Sequence, residues 1–261
     1  MQRYLRVYRT FFLSSIAREL EFRANFFAKV AQNLVWVGFA ILILLVIYAN
    51  TDSLAGWSRG DAMILMGTTF LLQAVLGAFF MALMEIPEQV RRGTLDYILV
   101  RPLDSQYWVS MRKFHFEQIG VLLASGVILS IGVRQAEISP SALQWLTFAV
   151  LGFCAVTIFY AFSLLLMTLG IWFVRVENLW VLGDTVLQIA RYPIDIYGAP
   201  LQRAFTYMVP LAFLATIPSR QLTQGADLAL TGLGLLWTAV FFFAARAFWL
   251  FSVRNYSSAS S

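Results

Sequence analysis

Long apolar runs recur along this sequence, each close to the length of a bilayer crossing, and that repetition constrains the fold more than any other feature. A helix needs about 20 predominantly apolar residues to cross the hydrocarbon core. Runs of that kind occupy 30–49, 62–84, 116–133, 143–174 and 228–250. The chain as a whole is 60% hydrophobic and only 13% charged, more apolar surface than a soluble domain of 261 residues requires. The class is therefore an all-α polytopic membrane protein. A net charge of +5 raises nucleic acid as a partner, but the basic residues sit beside the apolar runs and form no continuous stripe, so none is expected. Cys154 is the single cysteine and lies inside an apolar run, which excludes a disulfide framework and a cysteine metal site. Arg3, Arg6, Arg9, Arg18 and Arg23 interrupt the N-terminal stretch, so it is not a cleavable signal peptide and the first span is retained.

The N-terminal segment, 1–28, reads as an amphipathic helix lying in the membrane interface. Leu5, Tyr8, Phe12, Ile16 and Leu20 recur at spacings of three and four, with arginines on the other sides. Trp57, in the polar loop after the first span, is expected to anchor at the interface. The segment 176–192 is apolar apart from Asp184 and Gln188, and Leu201 to Ile217 is apolar but broken by Pro210 and Pro218. Only one of these two can cross if the charge asymmetry is to hold. With six spans and both termini inside, the cytoplasmic side carries fourteen of the 19 Lys/Arg: six from Arg3 to Lys29, five between Glu85 and Glu117, then Arg175, Arg246 and Arg254. We take 176–192 as the fifth span and 194–220 as a re-entrant hairpin on the outer face, where irregular backbone must be covered by protein or water. The Ser-rich tail after Arg254 is expected to be disordered.

Between the second and third spans lies 85–104, the longest charged stretch. Pro87 is expected to stop the incoming helix and Gly93 to supply a left-handed turn. Thr94 can cap a short helix with Asp96 in its first turn, and Leu95, Ile98 and Leu99 share one face of it. Such a face, held in water, needs something to dock against. Asp104 or Ser105 can cap the next helix.

Catalytic signatures are absent from the sequence. The only lysines, Lys29 and Lys113, lie outside any phosphate-binding loop pattern, and no GxSxG, HExxH or paired-cysteine motif occurs. Glu85 and Glu88 lie within helical reach of Arg91 and Arg92 and read as a solvated ion-pair cluster. The sole histidine, His115, reads as an interface residue. Asp184 is the one acid well inside an apolar span, so it either faces a wet cavity or partner helix or pairs near the boundary.

Two stretches carry a family resemblance. EQVRRGTLDYILVRPL is similar to the E-x-x-x-G-T-L-x-x-L-x-x-P pattern between the second and third spans of ABC transporter permeases of the ABC type-2 class. RYPIDIYGAPLQRAFTYMVPLAFLATIPSRQL has Pro193, Pro200 and Pro210 placed as in that family's outer segment before its last span. Ile86-Pro87 departs from the family's pattern at the start of the first stretch. The resemblance implies a dimer of six-span subunits, same or homologous, in the bacterial cytoplasmic membrane, each binding a separate cytoplasmic ATPase. On that basis Glu88, Gly93, Thr94, Leu95, Asp96, Ile98, Leu99 and Pro102 would form the region coupling to the ATPase. Asp184 and Gln188 are candidates for the translocation path. No cofactor or metal is expected in this chain, because ATP would be bound by the partner. The reading that follows is an ATP-driven exporter subunit. A lipid-modifying intramembrane enzyme would need a polar active site, and a passive channel or scaffold would not need a docking helix.

Overall fold

The computed structural model describes residues 2–173 and 179–256, and all of its regular structure is helical. The amphipathic N-terminal stretch forms α1 (Gln2–Glu21), and after Phe22 the chain continues directly into α2 (Arg23–Ala49). The first membrane helix therefore starts several residues before 30, because Arg23 and Lys29 extend it beyond the apolar run. A polar loop leads to α3 (Arg59–Phe80), opened by a reciprocal cap: the Ser58 hydroxyl accepts from the Asp61 amide and the Asp61 carboxylate accepts from the Ser58 amide.

Three short helices follow, α4 (Ile86–Arg91), α5 (Asp96–Leu99) and α6 (Ser105–Met111). The chain returns through α7 (Ile119–Gln135), then α8 (Ala142–Thr168), whose N-terminus carries a second reciprocal cap between Ser141 and Gln144. Of the expected fifth span, Leu179–Ala190 is helical (α9), while 176–178, like 174 and Arg175 at the end of the fourth, lie outside the described residues. The short helices α10 (Ala199–Tyr207) and α11 (Thr216–Thr223) precede α12 (Leu228–Arg254). The tail after Tyr256 also lies outside the described residues. Among the described residues five helices are long and apolar enough to cross a membrane, and α9 is a shorter apolar helix.

Burial sorts these helices. The most apolar window of α3 is 67% buried, whereas that of α2 is 11% buried, so α3 is central and α2 peripheral. Leu34, Val35, Trp36, Phe39 and Leu42 on α2 are exposed apolar side chains, a face that water would not tolerate and hydrocarbon does. The core centres on α8, which packs against α3, α11 and α12. There Leu151, Cys154, Ala155 and Phe213 are fully or almost fully buried.

The bundle has two ends. Trp57 marks one of them. Its indole N–H donates to Asp195 at 2.9 Å and its ring is buried, so the expected interface anchor is a packed, hydrogen-bonded residue instead. Asp195 also pairs with Arg220, which pins both ends of 194–220 at the same end of the bundle. Between them Pro210 breaks the chain as expected, but Pro218 does not. It sits in the first turn of α11, where its missing N–H costs nothing. Several polar groups of this hairpin find partners: the Ser219 hydroxyl donates to Thr68 at 3.0 Å, and the Gln144 amide donates to the Leu222 carbonyl at 3.1 Å. The other end gathers 81–118, the C-terminus of α12 and α1.

Helices α3 and α7 approach closely, and glycines permit it. A Cβ at Gly60 would lie 2.4 Å from the Ala136 backbone nitrogen, and one at Gly132 would lie 2.8 Å from that of Ile64. Backbone cannot yield as a side-chain tip can, so small residues hold this contact together. Gly60→Ala and Gly132→Ala should each lower the thermal unfolding midpoint in detergent, by an overpacking cost of about 1–3 kcal/mol. Gly126→Ala, where nothing lies within 4 Å, should leave it unchanged or raise it. Equal midpoints for all three would refute the close approach.

Candidate functional site

The connection from α3 to α7 differs from its expected form at several points. The helix does not end at Pro87. It ends at Phe80, passes through a 3₁₀ segment, Met81–Glu85, and restarts with Pro87 in the first turn of α4. Proline is suited there because its fixed φ matches the helix and the absent donor is not needed. Gly93 then adopts φ +67°, the left-handed turn read from the sequence. Thr94 does not cap α5. Its hydroxyl turns back to donate to the Gln89 carbonyl at 3.4 Å, and no side chain caps that helix.

The larger difference concerns the apolar face. Leu95 is fully buried and Ile98 nearly so, packed with Leu83, Ile86, Val109, Leu164 and Trp249, and Leu99 is half-buried against the same cluster. The face expected to await a partner is thus turned into the protein's own core. The Gly93 reversal folds α5 onto the end of the bundle, where each buried leucine or isoleucine gains about 1.5–3 kcal/mol over exposure to water. What α5 exposes instead is Tyr97, 70% exposed, and Val100, 80% exposed. Asp96 is half-buried, and Pro102 lies exposed in the bend that follows.

Charge is arranged in separate groups. Glu88 pairs with Arg91 and Arg92 at the surface, as read from the sequence. Glu85 does not join them. It faces the other way and pairs with Arg112 and Lys113, which lie between α6 and α7. His115 is likewise engaged, its Nδ1 3.1 Å from the buried Glu117, which Lys29 approaches at 3.5 Å.

Sequence reasoning missed the network that fastens this end. Asp104 caps α6, accepting from the Tyr107 amide at 3.0 Å, and the same carboxylate accepts from Arg246 of α12 at 3.0 Å. Arg246 also donates to the Gln106 side-chain oxygen at 2.9 Å. Gln106 in turn donates to the Tyr160 hydroxyl on α8 at 3.0 Å, and the Trp249 indole donates to Ser105 at 3.1 Å. The α6 segment is therefore bolted to both α8 and α12. Only the capping position of Asp104 is visible in sequence, since the Arg246 partner is more than a hundred residues away.

Asp184 and Gln188 are brought together on α9, Gln188 Nε2 donating to Asp184 at 2.6 Å. Asp184 lines a cavity of about 450 Å³, whose other polar walls include Asn33, Gln73, Gln118, Tyr160 and Arg191. Arg191 and Trp36 also border an adjoining cavity of about 300 Å³ nearer the Trp57 end, and the guanidinium lies over the Trp36 ring at 5.6 Å. Tyr160 is thus shared between the cavity wall and the α6 network.

Burial raises the Asp104 carboxyl, but the Arg246 and Tyr107 hydrogen bonds outweigh it and hold the group below the usual aspartate range. A carboxyl lowered in the folded state stabilises above its unfolded value of about 4 and loses that contribution as pH falls through the lowered value. The midpoint difference between the native chain and Asp104→Asn should therefore be full near pH 7 and shrink on acidification below about pH 4. At neutral pH it should correspond to about 1–2 kcal/mol, allowing for partial exposure. A difference independent of pH would show that the ion pair contributes nothing.

A search of curated proteins finds no match. A family model, described as ABC-2 family transporter protein, matches residues 34–260. That match takes in every helix from α3 to α12, the α4–α6 connection, the proline-punctuated hairpin and the Asp184 cavity, so the chain belongs to the ABC-2 transporter family.

Proposed function

We propose that this chain is the membrane subunit of an ATP-driven exporter, pairing with a second permease chain and a separate cytoplasmic ATPase. The observation that carries the reading is the α4–α5 unit within a member of this family. It is a short helical unit clamped from behind by Leu95 and Ile98, presenting Tyr97 and Val100 outward. A clamped unit of this kind transmits force to α8 and α12 instead of yielding to it. The Asp104 end is then cytoplasmic, in keeping with the distribution of Lys/Arg. The multi-pass chain sits in a bacterial inner membrane with both termini inside. The coupling residues remain Glu88, Gly93, Thr94, Leu95, Asp96, Ile98, Leu99 and Pro102, but Leu95 and Ile98 act by positioning the unit. The cavity bordered by Asp184, with Gln188 hydrogen-bonded to it, forms the part of the translocation path within one subunit. The partner binds and hydrolyses ATP.

Two measurements test this. Tyr97→Ala with Val100→Ala should weaken ATPase recovery on pull-down by about five- to thirtyfold, the loss of about 1–2 kcal/mol of contact, with the permease's melting unchanged. Leu95→Ala should instead lower the permease's own midpoint, by about 2–5 kcal/mol of cavity cost. Normal recovery with the double variant would defeat the docking assignment. ATP turnover by the purified subunit alone would overturn the division of labour.

A further inference from the structure

The two sides of α1 are chemically different. Tyr4, Phe11, Phe12 and Ser15 face the protein. Tyr4 meets Tyr107 edge-on at 5.0 Å, Phe11 meets Trp108 at 4.8 Å, and the Ser15 hydroxyl accepts from the Phe114 amide at 3.1 Å. The opposite side, at 100° per residue, carries Arg3, Arg6, Arg9, Leu13 and Leu20. All five are exposed, and among the described residues none of the three arginines has a carboxylate partner. Glu21 is the one acid on that side, at its far end, because Glu19 pairs with Arg18. One residue, Phe22, separates α1 from α2, whose exposed Phe27 and Leu34 face hydrocarbon. The helix is therefore tethered at the level where a membrane's headgroups begin.

The geometry points to the outer side of α1 as a binding surface for anionic phospholipid, its arginines on the phosphates and Leu13 and Leu20 in the acyl boundary. Mixed arginine and leucine on one exposed face suits no purely aqueous setting. Water would leave the leucines uncovered, while a neutral leaflet would leave the arginines without counter-charge. The aromatic contacts on the other side of α1 hold the segment that follows α5, and Arg101 stacks over Trp108 at 4.2 Å. Lipid that fixes α1 therefore also fixes the support beneath α5.

The test uses the full chain with Thr10→Cys, on the exposed side, carrying an environment-sensitive nitrobenzoxadiazole label. The unsubstituted chain serves as blank, since Cys154 is buried. The protein is reconstituted into vesicles of phosphatidylcholine alone or phosphatidylcholine mixed with phosphatidylglycerol. We expect a blue-shifted emission, quenched by doxyl lipid, in the anionic vesicles only, and reversed in 1 M NaCl, where the Debye length is about 3 Å. Each arginine near such a surface contributes about a fivefold preference, so R3Q/R6Q/R9Q should remove about a hundredfold and restore the phosphatidylcholine spectrum. The melting of that variant should be unchanged, because these side chains are exposed and among the described residues none is held by an ion pair. A shift of equal size in both membranes, or one that survives R3Q/R6Q/R9Q, would overturn the proposal. A label indifferent to lipid charge but shielded by an added ATPase subunit would overturn it in favour of a protein surface. The lipid reading does not require the permease assignment to hold.

Discussion

Hydrocarbon offers no partner for a backbone N–H or C=O, and the rest of this structure follows from that constraint. The five long helices satisfy their own backbones and can expose apolar faces, as α2 does along Leu34 to Leu42. Among the described residues, irregular backbone next to the apolar helices can be covered by the protein's own packing. The hairpin between Ile194 and Thr223 is the clearest case. Its central residues, Ala212 to Ser219, are buried, and its polar groups find Thr68, Gln144 and Asp195.

At the opposite end the same requirement produces a mechanical linkage. The segment from Met81 to Gln118 changes direction several times; it is tied to itself through Glu85 and the Gly93 turn, and to the bundle through Asp104, Ser105 and Gln106. Glu85 fastens to Arg112 and Lys113, and Asp104 to Arg246. Tyr160 reaches from the cavity wall to Gln106 and Ser110. The buried Leu95 and Ile98 of α5 share a cluster with Trp249 of α12 and Leu164 of α8. The α1 helix packs against the same segment through Tyr4, Phe11 and Phe12.

This organisation also explains the charge distribution. Arg246 lies within the apolar helix α12, a costly position for an unpaired cation. It is held by Asp104 and Gln106, which lie outside the spans. Surface pairs such as Glu88 with Arg91 and Arg92 are solvated and contribute little, about 0–1 kcal/mol. They shape the outward face of the α4–α5 unit more than its stability.

Apolar run length and spacing determined the class, the approximate helices and the turn at Gly93, because bilayer thickness and backbone sterics act on local sequence alone. The two reciprocal caps, Ser58 with Asp61 and Ser141 with Gln144, were legible for the same reason although they went unread. Which way a short amphipathic face points is a different matter. Leu95, Ile98 and Leu99 share a face in any register, but whether that face meets a partner or its own bundle depends on Trp249 and Leu164, distant in the chain. Trp57 and Glu85 were misassigned on similar grounds: an indole or a carboxylate takes the nearest partner in space, and Asp195 and Arg112 are not its neighbours in sequence. Periodicity is a property of the chain, whereas partnership is decided only once the helices have packed.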